Sequence, residues 1–127
     1  MLNSQAANSL SGTTLLKPGS KADTAAATGA WTATTLGLAG FVLFMQHAGV
    51  LAAGTLDGKI QTADDNSGTN SVDLVTYTQV TTSNDDPNLQ TSVVPATALK
   101  AYVRYIGTVV TGAANVSSSM VYSPGTV

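Results

Sequence analysis

From residue 54 onward the sequence falls into short runs of β-branched and aromatic residues, separated by clusters of turn formers. Strands bounded by turn signals about every eight to twelve residues are the signature of a sandwich or barrel. Thr55 to Thr62 (TLDGKIQT) sets Leu56 and Ile60 on one face and Asp57, Lys59 and Gln61 on the other, the period-two alternation of a half-buried strand. Asp64 to Asn70 (DDNSGTN) is a turn cluster. Val72 to Thr81 resumes with residues that fit a pleated surface. Ser83 to Asn88 is a second turn, in which Pro87 fixes its own φ and restricts Asp86. Leu89 to Val94 is a strand stopped by Pro95, and Ala96 to Lys100 fits a single helical turn. Ala101 to Thr111 is the longest strand, with Gly107 a bulge or a site of close backbone approach. Gly112 to Asn115 turns the chain, and Val116 to Ser123 forms the last strand before Pro124.

The first half is less regular. Leu36 to Leu56 carries no charge apart from His47 and is long enough to span a bilayer. Gly37, Gly40, Gly49 and Gly54 interrupt it, Gln46 and His47 stand in its middle, and no tight basic flanks frame it. The preferred reading is a buried strand from Gly40 to His47 (GFVLFMQH), ended by an Ala48-Gly49 turn. Continuous apolarity implies that both faces are covered, one by the core and the other by a second sheet or a neighbouring subunit. Phe41 and Phe44 are both expected in the core. Residues 1–20 have no early positive charge, no long apolar stretch and no cleavage site, which argues against a secretory signal. They read either as an extended arm whose Leu15 and Leu16 seat on a neighbour, or as a frayed terminus. With 127 residues the chain fits one domain. The expectation is an all-β fold: a single β-sandwich or jelly-roll-like domain of about 7–8 strands over residues 21–127, preceded by an N-terminal arm over 1–20.

Charge is scarce. Asp, Lys and Arg make up 9% of the residues and Glu is absent, where an average soluble domain carries about 25% charged residues. The five cations, Lys17, Lys21, Lys59, Lys100 and Arg104, form no stripe, so nucleic-acid binding is not expected. A net charge of −2 supplies no field to recruit a polyanion or an acidic membrane. Ser and Thr, about a quarter of the residues, must build the polar surface. Such a surface suits a subunit covered in an assembly, or equally a plain polar β domain. There is no cysteine, which excludes disulfides and thiolate metal sites.

Little in the sequence suggests catalysis. His47 is the sole histidine and has no acidic residue near it in sequence to orient it. No nucleophile elbow, zinc-helix or phosphate-loop motif occurs, so no enzyme activity and no cofactor are expected. An EF-hand counted from Asp64 would need Gly and Glu where Thr69 and Val75 stand. A looser calcium site with Asp73 is the alternative to an ordinary hairpin loop. Asn115-Val116-Ser117 matches the glycosylation pattern but means little without a secretion signal. Tyr102 and Arg104 share one face of their strand, Val103 and Tyr105 the other. A Tyr/Arg face is typical of protein interfaces, and also of a solvated or core-edge face.

Three stretches carry a resemblance: Gly54 to Asp65 (GTLDGKIQTADD), Tyr77 to Thr81 (YTQVT) and Leu99 to Val109 (LKAYVRYIGTV). Together they resemble a group of small tailed-phage structural proteins over about residues 54 to 122, as a pattern of strand and turn residues. The chain departs from that pattern at Gly58, where a β-branched residue is usual, at Ala101, where a basic residue is common, and in its longer 64–73 loop. The resemblance implies a virion protein, and within that class a capsid cement or decoration subunit on the outer surface of the head. Its partners would be the major capsid protein and further copies of itself, as a trimer. On this reading Phe41, Leu43 and Met45 mediate self-association. Leu15, Leu16, Tyr102 and Arg104 complete the expected interface. The rivals are a tail or neck subunit, a sugar-binding β module that uses Trp31, and a membrane-inserted coat protein.

Overall fold

The structure is a computed structural model that describes residues 11–34 and 40–122. Among the described residues ten strands follow one another: β1 (Ser11–Leu16), β2 (Ser20–Lys21), β3 (Thr32–Ala33), β4 (Phe41–Leu51), β5 (Thr55–Ala63), β6 (Val72–Thr76), β7 (Val80–Thr81), β8 (Asn88–Pro95), β9 (Tyr102–Val110) and β10 (Ala114–Tyr122). A single 3-10 turn, Ala96–Ala98, joins β8 to β9. Every pairing is antiparallel. One sheet runs β1-β10-β4-β8 with β2 on β10, and the other runs β3-β9-β5-β6 with β7 on β5. The two pack face to face as a β-sandwich. Seven strands have five residues or more and three have two.

Alternation along each strand builds the core. Val42, Phe44, Gln46 and Ala48 of β4 point inward, as do Leu56, Gly58, Ile60 and Thr62 of β5. Val103 and Tyr105 of β9 and Val116 and Met120 of β10 complete the interior. At about 25 cal/mol per Å², burying each large apolar side chain contributes roughly 1.5–3 kcal/mol. The β5 pattern read from sequence is the pattern found, with Asp57, Lys59 and Gln61 on the outward side.

Four expectations need correction. The long apolar strand does not end at Ala48-Gly49, because Ala48 is fully buried and β4 continues to Leu51. Asp85 explains the added length, since its carboxylate accepts the Leu51 N–H at 2.7 Å and ties the 83–88 turn to the strand end. Phe41 is not core: it is 67% exposed, because it has the outward parity of β4 while Phe44 has the inward one. The 72–81 run is two strands, β6 and β7. The break between them is bridged to the other sheet by Gln90, whose amide accepts the Thr78 N–H and donates to the Thr78 carbonyl. Residues 11–16 are not a free arm but a paired strand on β10. Leu15 and Leu16 are both buried in the chain's own core. Adjacent side chains can both turn inward here because the register shifts between Thr14 and Leu16. Residues 1–10, the rest of the expected arm, lie outside the described residues.

Candidate functional site

The two outer faces of the sandwich differ in chemistry. On the β10-β4-β8 sheet the outward side chains are Phe41, Leu43, Met45 and His47 of β4, Leu89, Thr91 and Val93 of β8, and Ser117, Ser119 and Val121 of β10. None is Asp, Lys or Arg. Register brings them side by side: Leu43 lies between Val93 and Val121, and Met45 between Thr91 and Ser119. Phe41, Leu89 and Val93 are 62–67% exposed. A contiguous uncharged patch of this kind marks an interaction surface more often than isolated exposed apolar residues do. A shallow depression lined by Met45, His47, Leu89, Ser117 and Ser119 lies within it.

The opposite face carries charge, held in one ion pair and in contacts to neutral side chains. Asp73 of β6 accepts from Gln61 Nε2 at 3.0 Å and lies 3.2 Å from Lys59 Nζ. The Gln61 hydrogen bond and Lys59 hold its carboxyl below the ordinary value. Arg104 donates to Gln61 Oε1 through Nε and Nη2 and lies 4.3 Å from the Trp31 ring centroid. That is cation–π distance. Asp57 accepts from Gln79 Nε2.

The Asp64–Asn70 loop is closed by its own residues. Asp65 Oδ1 accepts the Ser67 and Thr69 N–H groups at 2.9 and 3.0 Å, and its Oδ2 accepts the Thr69 hydroxyl at 2.6 Å. These bonds, the Thr69 hydroxyl first, hold the Asp65 carboxyl below its ordinary value. Asp64 accepts from Asn70, and Asp73 turns instead to Lys59 and Gln61. The three carboxylates suggested as calcium ligands therefore do not converge, and among the described residues no three His, Cys, Asp or Glu side chains gather as metal ligands do. No helix there is long and apolar enough to cross a membrane.

Polar groups also sit between the sheets. Gln46 of β4 is fully buried, and its Oε1 accepts the Tyr105 hydroxyl of β9. Gln46 Nε2 and the Tyr77 hydroxyl are buried and find no hydrogen-bond partner among the described residues. Burial raises the Tyr105 and Tyr77 hydroxyls far above the ordinary phenol value, so both stay neutral. A neutral, enclosed phenol–amide pair links the two sheets across the core.

The residues singled out from sequence thus divide into three groups. Leu15 and Leu16 are interior, Phe41, Leu43 and Met45 lie on the uncharged outer face, and Tyr102 and Arg104 belong to the other sheet. Sequence reasoning missed Leu89 and Val93. Their i, i+4 spacing put them on one face of a strand, but nothing local told which face looks outward.

The class these sheets define is the antiparallel β-sandwich. No protein-family model and no curated protein matches the sequence. Among solved structures, the chain is similar in fold to a chain in the structure of the infectious bursal disease virus Gx strain: TM-score 0.50, 10% identity, 90% of this chain and 31% of that chain covered. The crystal structure of the infectious bursal disease virus VP2 subviral particle aligns at a TM-score of 0.47 and 13% identity over 90% of this chain and 32% of that one. This chain spans about a third of the length of these chains. The likeness to the first is one of fold.

Proposed function

We propose that this chain is a non-enzymatic virion structural protein, a cement or decoration subunit on the outer surface of a tailed-phage capsid. It would bind the major capsid protein where capsomers meet, and self-associate, as a trimer on the resemblance. The observation that carries this reading is the uncharged outer face built around Phe41, Leu43, Met45, Leu89 and Val93, on a chain whose few charges are mostly on the other sheet or in loops. A free monomer with so little charge has weak protection against association, whereas a subunit seated on a shell has that face covered. The fold likeness to a chain of a virus structure supports the same setting. Many weak apolar contacts repeated over a shell add up through avidity rather than single-site affinity. A sugar-binding role draws less support, because the Arg104 guanidinium is stacked over the Trp31 ring.

The test is the copy number of the chain in purified source particles relative to the major shell protein, followed by rebinding of purified protein to particles stripped of it. A ratio of order one with saturable rebinding supports the cement role. Phe41→Asp combined with Val93→Asp should lower rebinding at least about tenfold, since each places a charge in an apolar contact, with circular dichroism unchanged. A handful of copies moves the chain to the tail or neck, and absence from the particle overturns the virion reading.

A further inference from the structure

Sheet edges expose unpaired N–H and C=O groups, and stable proteins blunt them with charge, bulges, brevity or a covering segment. Three of the four edges of this sandwich are blunted in this way. β1 has a register break and runs into Lys17 and Pro18. β3 is two residues long. β6 is broken in register and carries Asp73, paired to Lys59. The fourth, β8, has eight residues, no charge and an unbroken register with β4 from Asn88 to Pro95. No strand of the described residues lies beyond it.

The ladder fixes which of its groups are free. Ala96 donates to the Gly40 carbonyl directly opposite, while the Met45 carbonyl is turned toward β10, where it accepts the Ser118 hydroxyl. In an antiparallel ladder the bonded side alternates with every residue. Asn88, Gln90, Ser92 and Val94 therefore bond toward β4, and Leu89, Thr91 and Val93 aim N–H and C=O at the open edge. We infer that β8 pairs with β8 of a second copy about a twofold axis at Thr91, which joins two sandwiches into one continuous sheet. In that register Thr91 faces the partner's Thr91 and Leu89 faces the partner's Val93. All six outward N–H groups find carbonyls. Pro87 and Pro95, which have no N–H to leave unpaired, bracket the pairing. A second copy is the occupant this edge fits best, because the strand is its own complement: neutral throughout, with one apolar residue on either side of its centre. The same contact sets Leu89 of one copy beside Val93 of the other on the outer face, so two of the three most exposed apolar side chains gain an apolar neighbour while the face itself stays open. Whatever oligomer the outer face of β4 makes, a twofold here doubles it.

Sedimentation and amide exchange on the purified full chain test this without any particle, so the outcome is independent of the virion reading. Thr91→Pro removes the central N–H at an edge position that proline tolerates, and should halve the mass of the assembly. In the parent protein the Leu89, Thr91 and Val93 amides should exchange as slowly as the paired amides of β4, and in the variant at least about tenfold faster. Leu89→Lys with Val93→Lys is the second route to the same halving if proline disturbs the fold. Equal masses for parent and both variants, or parent Leu89, Thr91 and Val93 amides that exchange like those of exposed loops, overturn the inference.

Discussion

Gly58 and Gly107 face each other across β5 and β9, and the space they leave is filled from both sheets. A Cβ at Gly58 would fall inside the Gln46 amide oxygen, and one at Gly107 would lie 3.0–3.1 Å from Leu56 and the Tyr105 ring. The departure at Gly58 from the β-branched residue of the resembled pattern was visible in the sequence. Its reason was not, because Gln46 lies in the other sheet. Gly58→Val should therefore destabilise the fold by about 3 kcal/mol, as overpacking of a tight core does. With Gln46→Ala in the same chain the loss should be less than the sum of the two, and urea unfolding of the four proteins measures that coupling. Asp65 allows a second prediction. Its folded pKa is depressed, so its contribution is fully present above the ordinary value and disappears as pH falls through the folded one. Wild type should be the more stable at about pH 6, and its advantage over Asp65→Asn should shrink steadily as pH falls below the ordinary carboxylate value. A gap in urea midpoint that does not shrink toward the acid end would contradict this.

The best-read strand, β5, alternates cleanly because only one of its faces is buried and its outward residues are charged or polar. β4 was misread at both ends for one reason. Its outward face is apolar too, so continuous hydrophobicity concealed the alternation that puts Phe41 outside and Ala48 inside. Polar composition hid β1, which a bulge and a long-range partner create. Turns were legible as turns, but their demands were not. Gly54, in the connection between Leu51 and Thr55, has φ +71° and sits where a Cβ would overlap the Val110 carbonyl, whereas Gly40 has φ +70° with open space around it. Gly40→Ala should cost only the left-handed backbone penalty, about 1 kcal/mol. Gly54→Ala should cost roughly 2 kcal/mol more, because β5 must shift away from β9. Thermal unfolding of the two variants separates the contributions, and equal losses would show that the connection yields freely.

At the scale of the whole molecule, the division of chemistry between the two outer faces decides how it can bind. The fold class was legible in the sequence, since turn spacing and β-branched runs specify a sandwich. The division of faces was not, because it depends on which parity of β4 and β8 looks outward. The charged face uses its groups internally, with Lys59, Asp73, Gln61 and Arg104 linked to one another. The β10-β4-β8 face has no charge to offer, so binding through it gains from removing apolar surface from water rather than from Coulomb attraction. Screening lengths of about 8 Å at physiological salt act on exposed charges and leave apolar burial untouched. Affinity for stripped particles should therefore change less than about twofold between 50 mM and 500 mM salt, and the heat capacity of binding should be negative. Attachment through Arg104 and the lysines would instead weaken steeply over that range. Calorimetric titration at several salt concentrations and temperatures distinguishes the two, and a strong salt dependence would turn the molecule over, with the Trp31–Arg104 face toward its partner.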